Sequence, residues 1–158
     1  MSTRFYVTRY STYGRILNRG RADKLGPFNL AVGGRLGTKD IVSVFSVSLG
    51  QGEYVSVKLP RFAKVNRWYH MAGVYDGKWV RVYINGELAG QTEVPANLQG
   101  PIYEEAGTDL FVGKCSRRRT WHDTHINGML DEVRLFDQAL SQRQVKQLYT
   151  PKRALLKP

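Results

Sequence analysis

The run Arg67-Trp-Tyr-His-Met-Ala-Gly-Val-Tyr-Asp-Gly-Lys-Trp-Val-Arg-Val-Tyr-Ile-Asn-Gly86 decides the architecture of this chain. It holds two segments rich in β-branched and aromatic residues, 68–75 and 78–84, joined by Asp76-Gly77 and followed by Asn85-Gly86. Both dipeptides tolerate the positive φ angles of tight hairpin turns, so the run reads as consecutive antiparallel strands. Residues 87–92 supply a third, completing a β-meander. Alternation sends Val80, Val82 and Ile84 to one face and Arg81 and Tyr83 to the other.

The same period of two extends outward. Residues 42–49 alternate largely between apolar side chains and serine, Gly50-Gln51-Gly52 offers a turn, and 54–59 are extended until Pro60. Residues 110–113 and 129–136 read as two more strands, separated by a polar loop. An amphipathic helix appears only at the end, where Ser141-Gln-Arg-Gln144 has the form of a capping box and Val145, Leu148 and Tyr149 make one apolar stripe. Pro151 ends it. Short strands, glycine-rich turns and one terminal helix predict an all-β sandwich or barrel spanning residues 1–150, with a tail over 151–158.

Composition agrees with one domain: 158 residues, 42% hydrophobic, 16 Gly and 6 Pro. Cys115 is alone, which excludes an internal disulfide and a Cys-only zinc site, and it reads as a small packed residue. No apolar run is long enough to span a bilayer, and the first ten residues lack the apolar core of a signal peptide. Residues 1–81 carry 14 basic and 4 acidic side chains, whereas 82–158 carry 10 and 9, so +10 of the net charge of +11 belongs to the N-terminal half. There Arg4, Arg9, Arg15, Arg19, Arg21 and Lys24 interleave with Phe5, Tyr6, Tyr10 and Tyr13. Such a pattern suits phosphate contact and base stacking, but no nucleic-acid-binding motif accompanies it, and an anionic polysaccharide fits as well.

Three blocks carry a resemblance. They are residues 67–77, the hairpin Val80-Arg-Val-Tyr-Ile-Asn-Gly86, and Gly128-Met-Leu-Asp-Glu-Val-Arg-Leu-Phe-Asp-Gln-Ala-Leu-Ser141. In this order they resemble the laminin-G-like, concanavalin-A-like jelly-roll domains, over residues 16–149. The resemblance implies an antiparallel jelly-roll β-sandwich closed by a short C-terminal helix. Members usually begin with an F-D-G-x-x-D-Y-V stretch and a strand ending W-V-K/R. Nothing before Ile16 matches, so the opening strands are expected to be missing. That would leave the strand at 129–136 with an open edge, inviting aggregation, a partner strand or a second copy of the chain.

Catalysis finds no support in these residues. Related jelly-roll glycosidases share an E-x-D-x-x-E strand motif, whose paired carboxylates act as nucleophile and acid; it is absent here. Glu104, Glu105 and Asp109 cluster, but in a Gly- and Pro-punctuated loop. His70 lies within the strand signature and reads as a packing histidine. The resemblance also implies a calcium site at one rim, for which Asp131 is the first candidate, with Asn127 or the Gly128 carbonyl beside it. The plainer alternative has Asp131 hydrogen-bonding a turn or strand end.

The loop from Lys114 to His125 sets Arg117, Arg118 and Arg119 beside Trp121 and His122. Sugar rings stack on aromatic faces and guanidinium forks bind carboxylate or sulfate, so these five residues, with Tyr103, form the candidate glycan site. A solvated basic loop with Trp121 folded back as a packing anchor is the alternative. The sequence thus points to a non-enzymatic, lectin-like module binding a polysaccharide or other glycan, with anionic polymers favoured by charge. By resemblance it would be part of an extracellular or cell-surface protein, without membrane insertion. An adhesion or structural module of the same fold is the second reading, and nucleic acid the least favoured.

Overall fold

In a computed structural model the chain is described over residues 1–11, 14–20, 25–34, 41–50, 52–60, 63–114 and 125–150. Ten strands follow in order: β1 (Ser2–Arg9), β2 (Arg15–Gly20), β3 (Leu25–Gly34), β4 (Ile41–Ser48), β5 (Tyr54–Pro60), β6 (Trp68–Tyr75), β7 (Trp79–Ile84), β8 (Glu87–Glu93), β9 (Asp109–Val112) and β10 (Asn127–Arg134). A 3-10 turn (Ala96–Leu98) follows β8, and helix α1 (Gln142–Tyr149) closes the chain. The strands form two antiparallel sheets, β10-β1-β6-β7-β8 and β5-β4-β3-β2-β9. This is the jelly-roll sandwich that the resemblance implies.

The meander forms as the turn dipeptides require. Asn85 and Gly86 sit at φ 51° and 83° between the paired residues Ile84 and Glu87. Asp76 builds the other turn, its carboxylate accepting the N–H groups of Lys78 and Trp79 and pairing with Arg81. Between the sheets lie Phe5, Val7, Ile16, Leu17, Leu30, Val32, Phe45, Val47, Val57, Met71, Val80 and Val82. Val80 and Val82 thus face the core, and Tyr83 joins Ala72, Val74, Leu140 and Val145 in a second cluster under α1. The helix is held by the expected capping box: Ser141 Oγ accepts from Gln144 N–H, and the Gln144 side chain accepts from Ser141 N–H.

The residues before Ile16, which carry none of the opening motif, nevertheless form a strand. β1 lies between β10 and β6, pairing Phe5 with Leu130 on one side and with Tyr69 on the other. Phe5 and Val7 alternate into the core while Arg4 and Tyr6 point away, an amphipathic strand that basic-aromatic interleaving disguises. One side of β10 is therefore paired with β1. β10 is the last strand of its sheet, and among the described residues nothing pairs with its other side, the open edge that was expected of this strand. Glu132, at φ 51°, interrupts the ladder there, where the register slips by one residue between Arg134 and Asp131.

Candidate functional site

The site arises from the length of α1. β6 sends Met71 inward and Trp68, His70, Ala72 and Val74 outward. An eight-residue helix is about 12 Å long, against roughly 26 Å for an eight-residue strand. The helix covers Ala72 and Val74 and ends over His70; Trp68 stays beyond it, 47% exposed.

Strand register gathers further groups around these two. Arg4 is the cross-strand neighbour of His70 and of Asp131, and Tyr6 is the neighbour of Trp68 and of Met129. The Tyr6 and Trp68 rings are 5.6 Å apart between centroids, tilted by 50°, and form an aromatic shelf. Beside it opens a cavity of about 250 Å³, lined by Arg4, Trp68, Tyr69, His70, Asn85 and Tyr149.

His70 forms the floor. Its backbone is clamped by Asn85, whose side chain accepts the His70 N–H at 3.0 Å and whose own N–H donates to the His70 carbonyl at 2.9 Å. The imidazole is 2% exposed and faces the Tyr149 ring at 6.1 Å, yet neither ring nitrogen has a hydrogen-bond partner among the described residues. Burial first, then the positive charge of Arg4 with a smaller push from Arg134, lowers its pKa from 6.5 to about 4, against the pull of Glu132. The ring is therefore neutral at pH 7. Arg4 bridges the rim, with Nε 3.1 Å from the Glu132 carboxylate and Nη2 donating to the Tyr149 carbonyl at 2.8 Å. Arg134, opposed by partial burial and aided by Arg4, holds that carboxyl below the usual range.

The arrangement offers a half-exposed indole beside a recess lined by Arg4, Tyr69, His70, Asn85 and Tyr149. Such an arrangement can hold a ligand against the indole. Glu132 is tied to two arginines, and Asp131 Oδ1 accepts the Glu132 N–H at 2.8 Å. Neither carboxylate is placed as an acid or a nucleophile.

The residues that the sequence singles out are distributed differently. Arg117, Arg118, Arg119, Trp121, His122 and Cys115 lie outside the described residues. Their loop starts and ends beside β2, where Gly113 N–H donates to Ile16 and Ile126 N–H to Gly113. Tyr103, 39% exposed, donates its N–H to the Ser48 carbonyl, beyond the far end of β2, next to the Arg19–Glu104 ion pair. The loop anchor and Tyr103 thus stand at opposite ends of that strand. Tyr10 is committed to structure, its hydroxyl donating to the Ala63 carbonyl at 2.6 Å.

Asp131 and Asn127 do not form one site. They are four residues apart on β10, roughly 13 Å, opposite Arg4 and Arg9 respectively. Asn127 Oδ1 accepts from Arg9, and Asp131 caps its own bulge. Guanidiniums beside both positions disfavour a cation, and no cluster of three or more His, Cys, Asp or Glu side chains suited to a metal occurs among the described residues. The pair does not fit calcium. Trp68 and His70 are the functional candidates that sequence reading passes over, because both sit inside a strand signature. Their shared parity with Ala72 and Val74, set against a helix too short to cover all four, is the signal that finds them.

A family model described as the concanavalin A-like lectin/glucanases superfamily matches residues 1–146. The chain belongs to this superfamily. The match includes β1, in keeping with that strand's place in the sheet. Among solved structures, the CBM40 of an IT-sialidase from Ruminococcus gnavus, bound to α2,3-sialyllactose, shares 17% identity at a TM-score of 0.71, over 94% of this chain and 80% of that one. A SAP-like pentraxin from Limulus polyphemus, a native heptamer, shares 19% at 0.68, over 94% and 68%. Domain 4 of an extracellular GH43 arabinanase from Geobacillus stearothermophilus, in complex with arabinotriose, shares 20% at 0.60, over 94% and 65%. At these identities the likeness is one of fold. No curated protein matches the chain in sequence. Among the described residues no helix is long and apolar enough to cross a membrane.

Proposed function

We propose that this chain is a non-catalytic, lectin-like module that binds glycan, carried by a larger extracellular protein. The observation that carries the reading is Trp68: a half-exposed indole on a rigid central strand, flanked by Tyr6 and opening onto a polar-floored recess. An exposed ring held this way presents its face to the C–H surface of a sugar at little entropic cost. The superfamily, and the oligosaccharides held by domains of like fold, support the same reading.

A preference for anionic polymers is assigned to the loop with Arg117, Arg118 and Arg119, since the guanidiniums of Arg4 and Arg19 already face carboxylates. A glycan array followed by calorimetry on the wild type, Trp68→Ala, Arg118→Ala and Trp121→Ala tests the assignment. Loss of binding in Trp68→Ala supports the β6 site, and loss confined to acidic or sulfated glycans in Arg118→Ala supports the loop. A wild type that ignores every glycan overturns the reading; hydrolysis of the oligosaccharides overturns its non-catalytic part.

Adhesion between copies of the chain remains the second reading. β10 carries exposed Met129 and Val133, and its outer side is unpaired among the described residues. The bulge at Glu132 counts against it, because a twisted, interrupted edge is a poor template for another strand. Concentration-dependent association in sedimentation velocity, abolished by Val133→Lys, would favour adhesion.

A further inference from the structure

Resting on the glycan-binding reading, we infer that the Trp68 face takes an internal segment of a linear, uncharged polysaccharide, laid across β6, β1 and β10 with one sugar unit over each strand.

Tyr6 is the cross-strand partner of Trp68 on one side and of Met129 on the other. Direct partners in antiparallel strands point to the same face, so the three side chains form a row perpendicular to the strands. Trp68 is 47% exposed and Met129 50%, with Tyr6 half-buried between them. Adjacent strands lie about 4.8 Å apart, close to the length of one sugar unit in an extended chain. A second row runs parallel to the first, from Asp131 through Arg4 and His70 to Asn85, and the Tyr149 end of α1 stands over it. The apolar row is thus a ledge at the foot of a polar step. A sugar ring divides in the same way. Its C–H face suits the ledge, and the hydroxyl groups at its edge suit the Arg4 guanidinium, the Asp131 carboxylate and the Tyr149 phenol.

The ledge is open at both ends. β7 pairs with β6 only from Met71 to Tyr75, and Asn85 of the following turn bonds to His70. Among the described residues no strand therefore continues the row past Trp68. At the other end β10 is the last strand of its sheet. A chain can enter at one end and leave at the other, which a pocket for a chain terminus does not permit. Charge and area decide among occupants. Around the step Arg4 and Arg134 stand against Asp131 and Glu132, so no net charge draws a polyanion. Three partly exposed side chains fall well short of the roughly 800 Å² per partner that a stable protein interface buries.

The test is calorimetric titration of the full chain with cello-, xylo- and arabino-oligosaccharides of one to six units, and with sialyllactose and oligogalacturonate as the charged arm. It is read beside the NMR signals of the Trp68 Nε1–H and the Met129 methyl group. A neutral series is expected to gain affinity up to three units and then level off, with both signals moving once three units are present. Blocking either terminal sugar of the six-unit chains should not weaken binding. Met129→Ala, at a half-exposed position, should keep the melting temperature, cost chains of three or more units about fivefold, and flatten the rise from two units to three. A single unit that binds as tightly as six, or loss of binding when one terminus is blocked, overturns the inference while leaving the module reading intact. So does full-strength binding by Trp68→Ala, or binding of acidic glycans alone through Trp68. Self-association of the wild type in sedimentation velocity, abolished by Trp68→Ala, would put a second copy on this face and overturn the inference likewise. Absence of any glycan binding by the wild type removes the module reading itself.

Discussion

A Cβ on Gly73 would stand 2.6 Å from the ring of Phe45, so β6 and β4 meet across the sandwich with no side chain between the Gly73 backbone and that ring. The contact fixes how closely the two sheets approach at the middle of the core. Gly73→Ala should therefore cost about 1–3 kcal/mol, the usual penalty for overpacking an ordered core. Urea denaturation is the measurement; a change within 0.5 kcal/mol of zero, on the order expected at an uncrowded site, would mean the sheets separate freely. Gly73 faces away from Trp68 and His70, so glycan affinity should be unchanged while the variant stays folded.

The capping box links helix stability to the site. Ser141→Ala removes the acceptor for Gln144 N–H and should destabilise the protein by about 1 kcal/mol. The far end of the same helix brings Tyr149 over His70 and supplies the carbonyl that Arg4 holds. Glycan affinity should consequently fall in Ser141→Ala although Ser141 lines no part of the recess. Equal affinity with a lowered melting temperature would show that the wall stands without the cap.

The central meander and the closing helix are legible from residues alone, because Asn85-Gly86 and the Ser141/Gln144 pair each demand one local geometry. β1 is not. Its inward Phe5 and Val7 alternate with Arg4 and Tyr6, and only the tertiary structure shows that Arg4 lines the recess and Tyr6 packs on Trp68 rather than belonging to a basic arm. β3 is masked in another way, by Pro27 within the strand and Gly33-Gly34 at its end, residues that weaken any strand signal. The candidate site is illegible for a related reason: alternation shows which face Trp68 and His70 share, but where the helix stops on that face is a matter of packing.

Acid should destabilise the fold through His70. Its pKa is about 4 in the folded chain and near 6.5 when exposed, so between these values the unfolded chain binds the extra proton. This contribution to stability is complete above pH 6.5 and is lost progressively as pH falls toward 4. Melting temperatures at pH 7 and 4.5 should differ more for the wild type than for His70→Gln, which has no such proton to bind. Parallel pH profiles for the two would mean that the ring is solvated in the native state.

Gly128 packs against the carbonyl of Tyr6, and a Cβ there would overlap it. Gly128→Ala must push β10 away from β1 near Val7, whose partner Gly128 is. The loss should exceed that of an ordinary overpacking change, because backbone rather than a pliant side chain is displaced and the ladder hydrogen bonds stretch with it. Hydrogen exchange is the sensitive readout: the amides joining β10 to β1 should lose protection before those of β6 and β7. If β10 loosens, Glu132 retreats from Arg4 and Met129 from Tyr6, so glycan affinity should fall with the protection of that strand. A variant with unprotected β10 and undiminished binding would place the ligand entirely on β6, on Trp68 and His70 without help from the β1 side of the shelf.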